Sequence, residues 1–241
     1  MLLLTALLAL HAPQPTIVCA GDWILFQHSN GRWTRPMPKL NKAKITADVF
    51  MGAKRTGSVS GVVQMTTDDS GPMEAPTLVT PKPLPEGTIS VSGGKAKMVA
   101  FKACGNEVAM EQIKLFVKQE MLKPRKVVID QAVQGDFNGD GKVDYLIAFK
   151  SGATGDDRRM SDFDCAFVVS NGKRTRFYYE SKFGEMRGPI RSKFIGAGDF
   201  LGNGKVAWLI WSQDSWGTSV SMVTLSKAGK PTVVETTGFG D

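Results

Sequence analysis

Histidine and cysteine are scarce in this chain, with two His and three Cys among 241 residues. A metal enzyme built on histidine clusters is excluded by that count. No G-x-S-x-G, Walker A or complete G-x-G-x-x-G segment occurs, so nucleophile-elbow and phosphate-loop chemistry have no support in the sequence. Beyond residue 20 no apolar run approaches the ~20 residues that a membrane span requires. What is present is 42% hydrophobic and 22% charged residues, 26 Gly and a net charge of +7. Such a chain can bury a core, which excludes disorder throughout.

Residues 1–20 contain no Lys, Arg, Asp or Glu, and their apolar run over residues 2–10 ends before Pro13 and Pro15. The run is too short to span a bilayer and reads as the h-region of a secretory signal, with Val18-Cys19-Ala20 as cleavage site. Residues 1–20 are therefore expected to be a signal peptide, with Gly21 opening a secreted or periplasmic mature chain. A buried N-terminal strand or helix is the alternative. Cleavage leaves His28, read as a surface turn residue, and the pair Cys104 and Cys165. In an oxidising compartment that pair is a candidate disulfide, worth on the order of 4 kcal/mol for a loop of about sixty residues. Two buried free thiols are the other reading.

Local patterning is mostly β. Residues 23–27 and 32–34 flank Ser29-Asn30-Gly31, a hairpin signal because Asn-Gly tolerates the positive φ of a type I′ turn. Residues 44–51 and 58–66 are rich in β-branched side chains, whereas residues 67–87 hold five of the 12 prolines and read as a linker. One helix is predicted over residues 106–122, with Ile113, Phe116, Val117 and Met121 on its core face and Pro124 beyond its end. From residue 126 onward eight strand candidates follow, with Asn171-Gly172 and Ala228-Gly229 between neighbours, so antiparallel hairpins are the economical assembly.

The segment with the clearest chemistry is Asp136-Phe137-Asn138-Gly139-Asp140-Gly141-Lys142-Val143-Asp144. Asp136, Asn138, Asp140 and Asp144 put side-chain oxygens at loop positions 1, 3, 5 and 9, and the Lys142 carbonyl at position 7 can add another. A hard cation that takes six to eight oxygens suits this set, so one structural Ca²⁺ is expected. An EF-hand would require Glu at position 12, where Ile147 stands within an apolar strand. A second copy, Gly198-Asp199-Phe200-Leu201-Gly202-Asn203-Gly204, follows 63 residues after the first without a gap. It keeps Asp199 and Asn203 but has Leu201 and Ala207 at two ligand positions, so it is expected to bind no metal.

Strand, oxygen-rich loop and strand, twice over, resemble the FG-GAP (VCBS-type) repeats of integrin α-subunit propellers and many secreted bacterial proteins. The resemblance implies a mainly β (α+β) fold, with antiparallel sheets, one helix and two tandem, incompletely propeller-like units in residues 91–241. These would follow an N-terminal β module in residues 21–90. Two units cannot close a propeller of about four to eight blades, so the sheets must pack on each other and on the N-terminal module, or several chains must assemble.

Two function classes remain. The first is a calcium-stabilised binding or scaffolding protein whose partner is an extracellular protein or an anionic polysaccharide. Trp208, Trp211, Trp216 and Tyr178-Tyr179 are candidate contact aromatics, and Arg158, Arg159, Lys173, Arg174 and Arg176 supply basic charge. The second is a carboxylate-dependent hydrolase of cell-envelope polysaccharide drawing on Asp156, Asp157, Asp162 and Asp164. Nucleic acid is not expected as a partner, because no nucleic-acid motif is present.

Overall fold

Short hydrophobic alternations separated by Gly-containing turns favour antiparallel pairing over crossovers, and the computed structural model is built almost wholly that way. It describes residues 15–65, 76–152, 162–181, 191–214, 217–226 and 228–240. The first module comprises β1 (Thr16–Ala20), β2 (Trp23–Ser29), β3 (Arg32–Thr34), β4 (Lys44–Met51), β5 (Lys54–Gln64), β6 (Thr77–Val79) and β7 (Thr88–Ser92). Their order is β1-β7-β4-β5-β6-β2-β3, and an additional β1–β2 pairing closes six of them into a barrel. Asn30 and Gly31 take φ of 52° and 75° at the expected hairpin turn.

Four details of this module differ from the sequence reading. Residues 16–20 are the strand that closes the barrel, with Ile17, Val18 and Cys19 buried. A chain beginning at Gly21 would lose β1 and open the barrel, so a boundary after residue 20 does not match the folded unit. The stretch read as a linker contains β6, which pairs with β5 and β2, while residues 66–75 lie outside the described residues. β7 carries the module to Ser92 rather than to residue 90. His28 lies in β2, half-buried against Trp33, and not in a turn.

The remainder forms two five-stranded antiparallel sheets. The first orders as β13-β12-β11-β10-β9, from β9 (Phe101–Ala103), β10 (Val127–Gly135), β11 (Asp144–Ser151), β12 (Phe163–Ser170) and β13 (Lys173–Ser181). The second orders as β17-β16-β15-β14-β8, from β8 (Lys97–Met98), β14 (Arg191–Asp199), β15 (Ala207–Asp214), β16 (Gly217–Leu225) and β17 (Pro231–Gly240). Each is a four-stranded meander completed by one short strand from the segment leaving the barrel.

The two meanders stack head to tail. Phe137 and Leu146 of the first face the second sheet, while their counterparts Phe200 and Leu209 face the barrel. Tyr145 and Ile147 of the first pack toward α1 (Asn106–Gln119), while their counterparts Trp208 and Ile210 face the first sheet. Helix, first sheet, second sheet and barrel therefore follow one another as layers. An open head-to-tail array leaves an unlike apolar face at each end, and such faces need caps. Here α1 covers one and the barrel the other. The described residues contain no helix long and apolar enough to cross a membrane.

The helix matches its predicted start, and Ile113 and Phe116 are buried, with Phe116 stacked on Phe167 at 4.1 Å. Met121 is not part of that core face. It is 85% exposed and takes φ +54° just past the helix end, where the Leu122 N–H donates to the Val117 carbonyl. This is the position helices usually give to glycine. Met121→Gly should therefore stabilise by about 0.5–1 kcal/mol, a rise of about 1–4 °C in midpoint at ~2–4 °C per kcal/mol; a fall in a thermal melt would contradict this reading of the cap.

The expected Cys104–Cys165 disulfide is not formed, and all three cysteines are free and buried. Cys104 lies beside Ala132 of β10, whereas Cys165 pairs with Phe149 of β11 from the far strand β12. Three inter-strand steps of ~4.8 Å separate them by about 14 Å, well beyond the ~7 Å that a disulfide spans. Burial pushes the Cys19 and Cys165 thiols up to about 12 and also raises Cys104. Ellman's reagent should accordingly find no fast-reacting thiol in the native full-length chain, and all three after denaturation without reductant; fewer than three would reveal a bridge.

Candidate metal centre

The oxygen-rich segment is the turn between β10 and β11. Gly139 and Gly141 take φ of 75° and 82°, a conformation that glycine adopts without penalty, and this curls the backbone N–H groups inward. The Asp136 carboxylate receives them: Oδ1 accepts from Gly139 at 2.8 Å and Asp140 at 3.0 Å, and Oδ2 from Gly141 at 2.9 Å. Asn138 Oδ1 accepts from the Asp140 N–H, and Asp140 Oδ1 from the Lys142 N–H, both at 2.9 Å.

The β12–β13 turn supplies a further layer that the sequence reading missed. Ser170 Oγ accepts from Asn138 Nδ2, and Asn171 Nδ2 donates to Asp140 Oδ2, each at 3.0 Å. The Lys142 ammonium reaches Asn171 Oδ1 at 3.0 Å, so its side chain leaves the loop. Asn171-Gly172 was legible as a turn, but nothing in its spacing says which loop it meets. These hydrogen bonds, led by the Lys142 N–H and then Asn171, hold the exposed Asp140 carboxyl below its ordinary value.

Asp144 differs from the other three donors. It is fully buried, and Oδ2 accepts the Phe137 N–H at 2.9 Å, while Oδ1 has no hydrogen-bond partner. Burial raises its pKa above 3.8, opposed by the nearby Ser170 hydroxyl and the Phe137 N–H and reinforced by the charges of Asp140 and Asp136.

The second turn, between β14 and β15, repeats the scaffold. Asp199 Oδ1 accepts from Asn203 at 3.0 Å, Asp199 Oδ2 from Gly204 at 2.6 Å, and Asn203 Oδ1 from Lys205 at 3.1 Å. Gly202 and Gly204 take φ of 65° and 81°. The turn thus closes through carboxylate and amide acceptance, with the Gly202 N–H also donating to the Asp199 backbone carbonyl at 3.4 Å. The two turns differ at the third, fifth and ninth positions, where Asn138, Asp140 and Asp144 are replaced by Leu201, Asn203 and Ala207.

The five predicted ligand residues, Asp136, Asn138, Asp140, Lys142 and Asp144, therefore do share one turn. Their side chains are spent largely on internal N–H groups. Among the described residues no group of three or more His, Cys, Asp and Glu side chains converges so as to hold a metal. The donor chemistry fits a hard cation, and the one orphaned oxygen, on Asp144, is of the type calcium binds.

Other predicted residues fall elsewhere. Asp162 is buried and gripped by Arg125, with Nη2 to Oδ2 at 3.0 Å and Nε to Oδ1 at 3.4 Å. Asp164 is buried in β12, opposite Lys150. Asp156, Asp157, Arg158, Arg159 and Trp216 lie outside the described residues. Trp208 is wholly buried, and Trp211 packs half-buried at the barrel contact. Arg174 and Arg176 turn toward the helix, bonding Gln112 and Glu120.

No protein family, curated protein or solved structure compared with this chain matches it. The reading of the turn consequently stands on its own geometry and on the internal comparison between its two copies.

A raised carboxylate pKa means that the folded state takes up a proton the unfolded chain does not, so the burden of a buried charge is present at neutral pH and lifts as pH falls through that value. Asp144→Asn should raise stability in chelator at pH 7 by about 1–3 kcal/mol, the usual penalty for an unsatisfied buried group. The gain should shrink toward pH 4 in denaturant titrations; a loss of stability at pH 7 would show the charge to be compensated.

Proposed function

We propose that this is an exported binding or scaffolding protein in which the turn at residues 136–144 holds one structural Ca²⁺. In this reading any leader ends before Thr16, because β1 closes the barrel. The resemblance to FG-GAP-type repeats is part of the proposal and rests on the two matched strand-turn-strand segments. The observation that carries it is Asp144: a carboxylate with no exposure and one unbonded oxygen, at the ninth position of a turn whose other donors are all hard oxygens. A buried unpaired charge is costly, and a cation beside it turns the cost into binding energy. The metal-poor copy supports the same reading, since it lacks a carboxylate at that position and lacks the problem too.

Calcium would be bound by Asp136, Asn138, Asp140 and Asp144, with the Lys142 carbonyl available as a further donor. Binding exchanges some internal N–H contacts of these side chains for the ion. The surrounding sheets need not move, because the twin turn shows that the scaffold is set by glycine geometry and an Asp anchor. The partner would be an extracellular protein or an anionic polysaccharide.

Thermal melts of the full chain in millimolar calcium and in excess chelator test this. At a hundredfold excess over the dissociation constant the gain is about 2.7 kcal/mol, or about 5–10 °C for a chain of this size. Asp140→Ala should abolish that shift. Asp199→Ala should lower the midpoint in chelator, since it removes two turn-closing acceptors, yet keep the calcium shift. No shift in the unsubstituted protein, or equal loss of it in both variants, refutes the single-site proposal.

A further inference from the structure

A cavity of about 320 Å³ lies where the β2–β3 hairpin, the second Asp-Gly turn and the β16–β17 pair meet. We propose that it is a binding site for a small organic monoanion with an aryl or short acyl body. The reading does not depend on calcium.

The site is the twin turn put to another use. Leu201 and Ala207 occupy the positions of Asn138 and Asp144, and both line the cavity. Where the first turn offers oxygens, the second offers apolar carbon. Its opposite wall comes from the barrel: His28 lies against Trp33 with ring centroids 5.0 Å apart, and Trp33 meets Phe200 edge-on at 6.4 Å. Phe200 is the counterpart of Phe137, which faces the other sheet, so the aromatic wall exists only because the barrel caps the second sheet. The hairpin is anchored there by Arg35, whose Nε donates to the Thr236 carbonyl at 2.9 Å.

Lys205 is the charged side chain among the described lining residues, while the Asp199 carboxylate behind the wall is engaged by the Asn203 and Gly204 N–H groups of the turn. Among the described residues lining the cavity, the ionisable side chains are Lys205 and His28, and none is a carboxylate. Asn203 and Thr224 add polar atoms beside the apolar wall. An apolar cavity with a few convergent polar groups at one end is the ordinary form of a small-molecule site, and this volume is near the lower bound for one. The Lys205 ammonium beside an aromatic wall favours an anion with a flat or apolar body over a cation. The space opens to solvent beside Asn203, Lys205 and Val234, so it is a cleft that a ligand can reach.

The test uses 1-naphthoate as the probe and 1-naphthylmethanol as its uncharged twin, titrated in chelator against the full chain by tryptophan fluorescence. Saturable submillimolar binding of naphthoate, at least tenfold tighter than of naphthylmethanol, is expected. Lys205→Glu should weaken naphthoate at least tenfold and leave naphthylmethanol unchanged. Leu201→Trp should fill the space and abolish both; Val234→Trp, at a partly exposed lining position, serves the same purpose should Leu201→Trp fail to fold. Absence of saturable binding, or binding that survives the filling variant, overturns the site. Equal affinity for the two probes, or indifference to Lys205→Glu, overturns its anion selectivity.

Discussion

Trp208 carries its indole into the space between the two five-stranded sheets, where no part of it reaches solvent. Its ring meets Phe137 at 5.9 Å and Phe177 at 6.2 Å, and Nε1–H donates to the Phe137 carbonyl at 3.0 Å. One side chain of the second sheet thus packs against the first sheet and also satisfies a backbone acceptor in its oxygen-rich turn. A buried indole that loses such an acceptor leaves its N–H unpaired. Gln131 adds a second tie, its amide accepting from and donating to the Phe194 backbone of β14 at 2.6 and 3.1 Å. Together they set the spacing of the sheets and hence the place of the turn.

Because the sheets stack in the same sense, capping becomes a requirement. The face of the first sheet bearing Ile147 and Phe149 would be exposed without α1, and the face of the second bearing Leu209 and Met222 would be exposed without the barrel. Two unlike caps end the series at two units. This arrangement answers how a pair of repeats can stand without closing a ring, and it gives the N-terminal module a structural task. The barrel also keeps a small core of its own, including Ile17, Ile24, Ile45, Val63 and Leu78.

The twin turns show one scaffold serving two environments. In both, an Asp carboxylate gathers the N–H groups of the fourth and fifth residues beyond it, and glycines at positive φ make that possible. What separates them is the neighbour. The first turn leans on the polar β12–β13 turn through Ser170 and Asn171, so polar side chains persist there. The second leans on the aromatic hairpin of the barrel, where Ala207 lies in an apolar cluster and a carboxylate would be buried without a partner.

Periodicity, glycine placement and internal repetition were enough to locate the helix, the hairpins at Asn30-Gly31 and Asn171-Gly172, both Asp-Gly turns and the mainly antiparallel β character. These are local consequences of backbone sterics and side-chain alternation, which a sequence carries within a few residues. Contacts between distant segments were not legible. A composition typical of a leader's end became the barrel strand β1, a proline-rich stretch contained β6, Met121 turned outward at the helix end, and Cys104 and Cys165 came to lie three strands apart. The sequence alone thus determined which turns could close and which oxygens they would present. Only the tertiary structure decided that Asp144 would lose all solvent, that Ser170 and Asn171 would brace the turn, and that Leu201 would face a barrel, because burial is set by what long-range packing brings alongside.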